Sequence, residues 1–376
     1  MGGKKLIMGI VLLAALGAGI YFSYGRWAGA RGGEREGLLR ALPADATAVI
    51  YVDAAELRQR EILKSIFNWS AGVVTDPEYK QFVDETGFDY EKDLDRVGIA
   101  VENRGGARSY FALADGNFDR KKIEAYLRKN GNSEQLGGRE IFRLAAMNSN
   151  PPASSVRSPI SIVFLSDRRL ALTDAPDLSA ELQATASVAG HAEWMGRFER
   201  LAGTPVFALI RQDAAIGALF NNQAPGGLRS PQLGQLLNQL LWVSIAGKPE
   251  GKEFRAVLEG ECPNEMTMRQ LSDFLNGITI MANAGLDDPK LRQQMDPAER
   301  EAYQQLLNSI DVMKLDRGKS KSVRVTFLVT PEIWGKLAQT AAVKPEEEKT
   351  APNAKANVSL NKKKNGGKKE TARRPR

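Results

Sequence analysis

The segment Ala48-Val-Ile-Tyr-Val-Asp-Ala-Ala55, read together with Pro205-Val-Phe-Ala-Leu-Ile-Arg-Gln-Asp-Ala-Ala215, decides the fold. Each opens with a short apolar run rich in β-branched and aromatic side chains, which predicts a buried strand. An aspartate follows in each, Asp53 and Asp213, placed to accept from the first free N–H groups of a helix. The same strand-to-helix step, met twice, predicts a chain that runs through one structural order two times.

Outward from the first copy, a helix is expected through Leu57, Ile62, Leu63 and Ile66. Val97 to Val101 and Ser109 to Ala114 then flank Arg104-Gly-Gly106 as a hairpin. Asp119 caps a helix through Ile123, Tyr126 and Leu127; Arg139 to Leu144, Ile160 to Leu165 and Leu170 to Thr173 read as strands, and Asp177 to Ala186 as a short helix. The second copy continues with a helix through Ile216, Leu219 and Phe220, and with a hairpin turning at Lys248-Pro-Glu-Gly251. Asn264 caps a long helix through Leu271, Phe274, Leu275, Ile278 and Met281. Two strands, Ile310 to Leu315 and Val323 to Val329, and a helix opening at Pro331 complete it. Thr75 to Tyr90 enlarges the first half, and a helix from Pro297 to Leu307 the second.

Hairpins plus helices, without strict β-α alternation, predict an α+β fold: an N-terminal transmembrane helix, two similar β-α-β-β-α-β-β-α modules with mainly antiparallel sheets, and a disordered C-terminal tail. The expected boundaries are a short N-terminal segment 1–5, a membrane helix 6–24, a flexible tether 25–41, modules 42–190 and 191–343, and the tail 344–376. The length of 376 residues suits this division.

The membrane helix rests on the uncharged run from Leu6 to Tyr24, which as a helix reaches about 28 Å, the thickness of a bilayer core. Lys4 and Lys5 precede it, Arg26 follows it, and Tyr21, Tyr24 and Trp27 suit the interface. The alternative is a cleaved signal peptide ending at Ala28-Gly29-Ala30. The lysine-headed N-terminus favours an N-in, single-pass protein of the bacterial inner membrane with an extracytoplasmic body. The raw Lys/Arg count, with Arg26, Arg31, Arg35 and Arg40 after the span, favours the opposite orientation.

Leu42-Pro-Ala-Asp45 followed by Ala48-Val-Ile-Tyr-Val-Asp53 resembles the opening of uncharacterised bacterial exported proteins that begin with an LPAD element after a membrane segment. Phe82-Val-Asp-Glu-Thr-Gly-Phe-Asp-Tyr90 with Asp93-Leu-Asp95 is similar to a related family of hypothetical proteins of soil bacteria. The resemblance implies location and architecture. It carries over no functional residue.

One histidine, His191, and one cysteine, Cys262, serve the whole chain, which excludes internal disulfides, Cys/His zinc sites and His-cluster metal centres. His191 is expected at the start of a helix between the halves, with no triad around it. Cys262, before Pro263, reads as a small, partly buried apolar residue. The acidic run Asp84, Glu85, Asp89, Glu91, Asp93, Asp95 fails the EF-hand pattern, since the sixth and twelfth positions from Asp89 are Leu94 and Ala100; a solvated helix end is expected. Gly247-Lys-Pro-Glu-Gly-Lys252 is one residue short of a phosphate loop. No cofactor and no metal is expected, and no catalytic residue is assigned.

The net charge is +7, and residues 344–376 carry 11 Lys/Arg against 4 Asp/Glu, so the whole excess lies in the tail. Its clusters, Lys362, Lys363, Lys364, Lys368, Lys369, Arg373, Arg374 and Arg376, suit point-charge attraction to anionic lipid or glycolipid. Without aromatics the tail cannot stack bases, so nucleic acid is disfavoured as a partner. The sequence therefore points to an envelope protein that is a non-catalytic binding or assembly module. Two alternatives are a carboxylate-dependent hydrolase using Asp53 or Asp213 across a cleft, and a cytoplasm-facing protein whose tail binds nucleic acid.

Overall fold

The computed structural model describes residues 35–59, 77–104, 107–144, 159–175, 187–212, 231–250, 253–289 and 297–331, with Leu178, Leu182, Gln293 and Ile333. The described strands are β1 Ala48–Asp53, β2 Leu94–Arg104, β3 Ala107–Gly116, β4 Asn132–Leu136, β5 Arg139–Leu144, β6 Ile160–Ser166, β7 Arg169–Thr173, β8 Val206–Arg211, β9 Trp242–Glu250, β10 Glu253–Cys262, β11 Asp311–Asp316 and β12 Lys321–Val329. All twelve join one sheet in the order β11-β12-β10-β9-β8-β1-β2-β3-β7-β6-β5-β4. Every pairing in it is antiparallel. The α+β class is as expected, but the two halves contribute to one continuous sheet instead of building one each.

Eight labelled helices accompany the sheet: α1 Ala54–Arg58, α2 Pro77–Thr86, α3 Tyr90–Asp93, α4 Arg120–Asn130, α5 Ala192–Arg200, α6 Pro231–Leu237, α7 Glu265–Leu286 and α8 Pro297–Asn308. The strands alternate side chains between two faces, so each face needs its own cover. On the back face, Tyr79, Phe82, Tyr90, Ile123 and Leu127 from α2, α3 and α4 pack on Val97, Ile99, Ala112, Phe142 and Ile162. Farther along, Met268 and Leu271 of α7, with Leu236 and Leu237 of α6, cover Ile210, Val243 and Val323. On the front face, Val49, Tyr51, Phe111, Leu113, Phe207 and Leu209 are covered by Leu38, Leu39 and Leu42 and by Trp194 and Phe198 of α5.

That front cover corrects the expected tether. Residues 35–39 form a helix, and Leu38 and Leu39 are buried to 0% and 4% exposure; Gly98 leaves a side-chain gap beside Tyr51 that Leu38 fills. The expected turn at Lys248-Pro-Glu-Gly251 also moves. Strand β9 continues through Glu250 and pairs with β10 from Glu253, so Lys248, Pro249 and Glu250 are strand residues.

No helix among the described residues is long and apolar enough to cross a membrane. The run Leu6 to Tyr24, the expected helices through Ile62 and through Leu219, most of Asp177 to Ala186 and of the helix opening at Pro331, and the basic tail lie outside the described residues.

The registers relate the halves. The offset that aligns Asp53-Ala-Ala55 with Asp213-Ala-Ala215 aligns Val49 with Leu209, and those two residues pair with each other in the β1–β8 ladder. From that pair the sheet can be walked both ways along directly opposed residues, which share a face. One way runs Val49, Ala100, Phe111, Thr173, Ser161 through β1, β2, β3, β7 and β6. The other runs Leu209, Ser244, Glu259, Arg324, Met313 through β8, β9, β10, β12 and β11. Strands β4 and β5 have no counterpart in the second half among the described residues.

Candidate functional site

The two walks follow the same front face and differ in charge. Val49, Ala100, Phe111, Thr173 and Ser161 are all buried, at 0% to 3% exposure. In the second half the corresponding positions place Glu259 and Arg324 on the third and second strands from the β11 edge and leave Met313 38% exposed. Two residues along β10, Glu261 stands where Leu113 stands in β3: Leu113 pairs with Ala171, and Glu261 with Ser322. Along these walks an uncharged, buried row in the first half is matched in the second by a row that carries Glu259 and Arg324 and borders an open groove.

The result is a groove of about 390 Å³ on the front of β8, β9, β10, β12 and β11, walled by the end of α5 and the turn Leu201 to Thr204. Leu209, Ala246 and Val257 contribute apolar floor, and Arg197, Arg200, Lys248, Arg255, Asp311 and Arg324 bring charge to it.

Two buried glutamates organise the charge. The Glu259 carboxylate accepts from Arg317 Nη1 at 2.5 Å and Nη2 at 3.1 Å, from Arg324 Nε at 3.0 Å and Nη2 at 2.8 Å, and from Ser322 Oγ at 2.9 Å. Burial alone would raise this carboxyl, yet the hydrogen bonds from Arg317, Arg324 and Ser322 outweigh it and hold its pKa at about 2. Glu261 accepts from Arg197 Nε at 3.0 Å and from Arg197 Nη2 and Arg200 Nη2. These are charge-assisted bonds in a half-buried setting, the strongest class of hydrogen bond available to a protein. Arg197 also lies 4.0 Å over the Trp242 ring, which meets Trp194 edge-on at 4.7 Å.

Local sequence explains why these groups converge. Alternate residues of a strand share a face, so Glu259 and Glu261 in Leu258-Glu-Gly-Glu-Cys262 point together. Residues three apart on a helix are neighbours, so Arg197 and Arg200 of α5 reach the same carboxylate. No motif in the sequence announces this constellation; its signal is a pair of glutamates on alternate positions of a strand whose other residues are largely apolar.

The residues singled out from sequence are placed elsewhere. Asp53 is 4% exposed: Oδ1 accepts from Glu56 N at 2.8 Å as the cap of α1, and Oδ2 lies 3.2 Å from Arg96 Nε. The antiparallel β1–β8 pairing puts the C-terminal end of β8, where Arg211 N donates to Thr47 O, at the opposite end of β1 from Asp53. Asp213 itself lies outside the described residues, as do Lys362, Lys363, Lys364, Lys368, Lys369, Arg373, Arg374 and Arg376. His191 occupies the N-cap position of α5 without a side-chain capping bond. Cys262 is 3% exposed, and burial pushes its thiol up to about 11. Asp89 caps α3 and accepts from Tyr79 and Lys92.

No family model matches the chain, and no curated protein matches it. Among solved structures, crystal forms I, III and IV of TP0453 are similar, each at 10% identity and with TM-scores of 0.41, 0.42 and 0.41. The alignments cover 80%, 80% and 81% of this chain and 96%, 97% and 96% of those chains.

Proposed function

We propose that this chain is a single-span, membrane-anchored protein of the bacterial envelope whose body is a non-catalytic binding module, and that the groove is its contact surface. One observation carries the binding part. Where the first half lays the uncharged, buried row Val49, Ala100, Phe111, Thr173 and Ser161 across its front face, the second half, in the same strand order, sets Glu259 and Arg324 beside an open groove. Buried ion pairs seldom stabilise a fold more than apolar residues of the same volume. A charged row in a layout that accommodates an uncharged one therefore speaks for use rather than support. The non-catalytic part is supported by the state of the carboxylates: Glu259 is held far below the range of a general acid or base, and Asp53 is committed to a cap and to Arg96.

The matching walks away from the Val49–Leu209 pair support a finer reading of the fold, in which the two half-sheets are copies of one unit with β4 and β5 added to the first. The anchor rests on the run Leu6 to Tyr24, and the basic tail is proposed to touch anionic lipid or glycolipid.

Location is tested with a reporter thiol, Ser359→Cys in a Cys262→Ser background, labelled in intact cells by a membrane-impermeant maleimide after the outer membrane is permeabilised. Labelling before lysis is expected; protection until lysis would refute the envelope assignment. Binding is tested by a photo-crosslinking residue at Met313, beside the groove. A discrete adduct in cells is expected, and its absence, with the same residue crosslinking at an equally exposed site away from the groove, would count against the groove as contact surface.

A further inference from the structure

The groove holds more positive charge than its own architecture needs. Its two organising carboxylates, Glu259 and Glu261, face four arginines, Arg197, Arg200, Arg317 and Arg324, with Lys248, Arg255 and Asp311 farther along the lining. One arginine neutralises one glutamate, yet Glu259 and Glu261 each hold two. Among the four arginines and two glutamates the excess is two positive charges, and Arg200 and Arg324 side chains are only 32% and 33% exposed. Like charges gathered in a poorly solvated place repel, and an anion bound among them removes that repulsion.

The donors are also set for a multidentate acceptor. A guanidinium carries five N–H groups in a planar fork. Arg200 commits Nη2 to Glu261, and Arg324 commits Nε and Nη2 to Glu259, so both keep N–H groups beyond those bonds. They reach the groove from different walls, Arg200 from α5 and Arg324 from β12, while Lys248 and Arg255 stand on β9 and β10. A planar carboxylate brings one charge and one fork. A tetrahedral phosphate monoester brings two charges and oxygens directed toward more than one wall, which matches the excess.

We infer that the groove binds a dianionic phosphate group, with Arg200 and Arg324 as its direct ligands and Lys248 and Arg255 attracting it at the rim. The inference rests on the binding reading above and gives that contact surface its ligand class. The phosphate belongs either to a soluble phosphomonoester or to a lipid headgroup, and the two sources share the chemistry. Glu259 and Glu261 hold the arginines in place.

The test uses the full chain in a non-ionic detergent. The reporter is tryptophan emission, to which Trp242, under Arg197, contributes. Inorganic phosphate titrated at constant ionic strength is expected to change tryptophan emission saturably, more tightly at pH 8 than at pH 6 because the dianion predominates there, whereas chloride is not. Arg200→Gln, which leaves Arg197 on Glu261, is expected to weaken binding about tenfold or more, the worth of one charge-assisted bond. Lys248→Gln is expected to weaken it less, and both variants should melt with the wild type. The chain is then reconstituted in phosphatidylcholine vesicles with and without phosphatidic acid. An Arg200-dependent response to phosphatidic acid assigns the lipid source, and a response to inorganic phosphate alone assigns a soluble one. Because the basic tail also attracts anionic lipid, only the part lost in Arg200→Gln counts. No saturable response to either probe, or one unchanged in both variants, overturns the phosphate assignment. If the Met313 crosslink still forms in that case, the groove remains a contact surface for a different ligand; if it also fails, the binding reading falls with it.

Discussion

Replacing Glu259 by glutamine tests the charge network at its centre. The substitution keeps the shape and one acceptor oxygen but removes the negative charge that faces Arg317 and Arg324. In the folded protein the carboxyl titrates at about 2, against 4.5 for an ordinary glutamate. At 1.36 kcal/mol per unit, that shift corresponds to a stabilisation on the order of 3 kcal/mol. The sign follows from a depressed folded-state pKa. The contribution is fully present above about pH 4.5 and is lost as pH falls toward 2. Breaking a buried ion pair by removing one partner costs about 3–5 kcal/mol, a range consistent with the titration argument. For a folded body of this size, roughly 2–4 °C of melting temperature accompanies each kcal/mol, so Glu259→Gln should melt about 6–12 °C below the wild type at pH 7. The assay is tryptophan-monitored thermal unfolding of both proteins from pH 7 down to pH 2.5 in the same detergent. The gap between the two melting temperatures should narrow steadily below about pH 4.5. A gap that stays constant across that range, or no gap at pH 7, would show that Glu259 does not act as the ionised anchor of this network.

Two further substitutions probe the rest of the fold. A β-carbon on Gly98 would come 2.1 Å from Leu38 Cδ2, so Gly98→Ala should destabilise the protein by about 1–3 kcal/mol and raise proteolysis at Arg35 and Arg40. The clash disappears in Leu38→Ala, and the double variant should be no less stable than Leu38→Ala alone; additive losses would contradict the docking of the 35–39 helix on β2. Asp53→Asn removes the carboxylate charge that faces the Arg96 side chain, 9% exposed, and should cost about 3 kcal/mol in urea unfolding. Asp53→Leu combined with Arg96→Met should recover part of that loss, less the α1 cap that leucine cannot supply, and no recovery would contradict the ion-pair assignment.

Strands with a buried face were readable from the chain. Arg139–Leu144 and Ile160–Ser166 sit within a residue of their expected bounds because their apolar residues alternate or run continuously. Strand β4, Asn132–Leu136, had no such signal. All five of its residues are exposed at the sheet edge, so nothing in Asn-Ser-Glu-Gln-Leu registers burial. The tether was misjudged for a related reason. Its glycines and charges indicate a linker, whereas Leu38 fills a gap at Gly98, some sixty residues away along the chain, that no local pattern encodes. The groove was illegible for the same kind of reason. Arg197, Glu261 and Arg324 come from a helix and two strands separated in sequence, and only the register of β10 with β12 brings them together. Lysines and arginines clustered in the tail stood out by composition, while cations placed by topology did not.

The β1–β8 ladder sets an order of events for the growing chain. Strand β1 closes on β2 across about 50 residues and on β8 across about 160, and the longer closure costs only about 1 kcal/mol more in chain entropy. The larger consequence is one of timing. Until Val206–Arg211 has emerged, the first half presents Ala48-Val-Ile-Tyr-Val52 as an open edge, an apolar β-branched strand of the kind that recruits other chains. Truncation before β8 should therefore yield an aggregating fragment and not a smaller soluble protein. While it is being made, the chain depends on its second half, or on a chaperone in its place, to shield that edge.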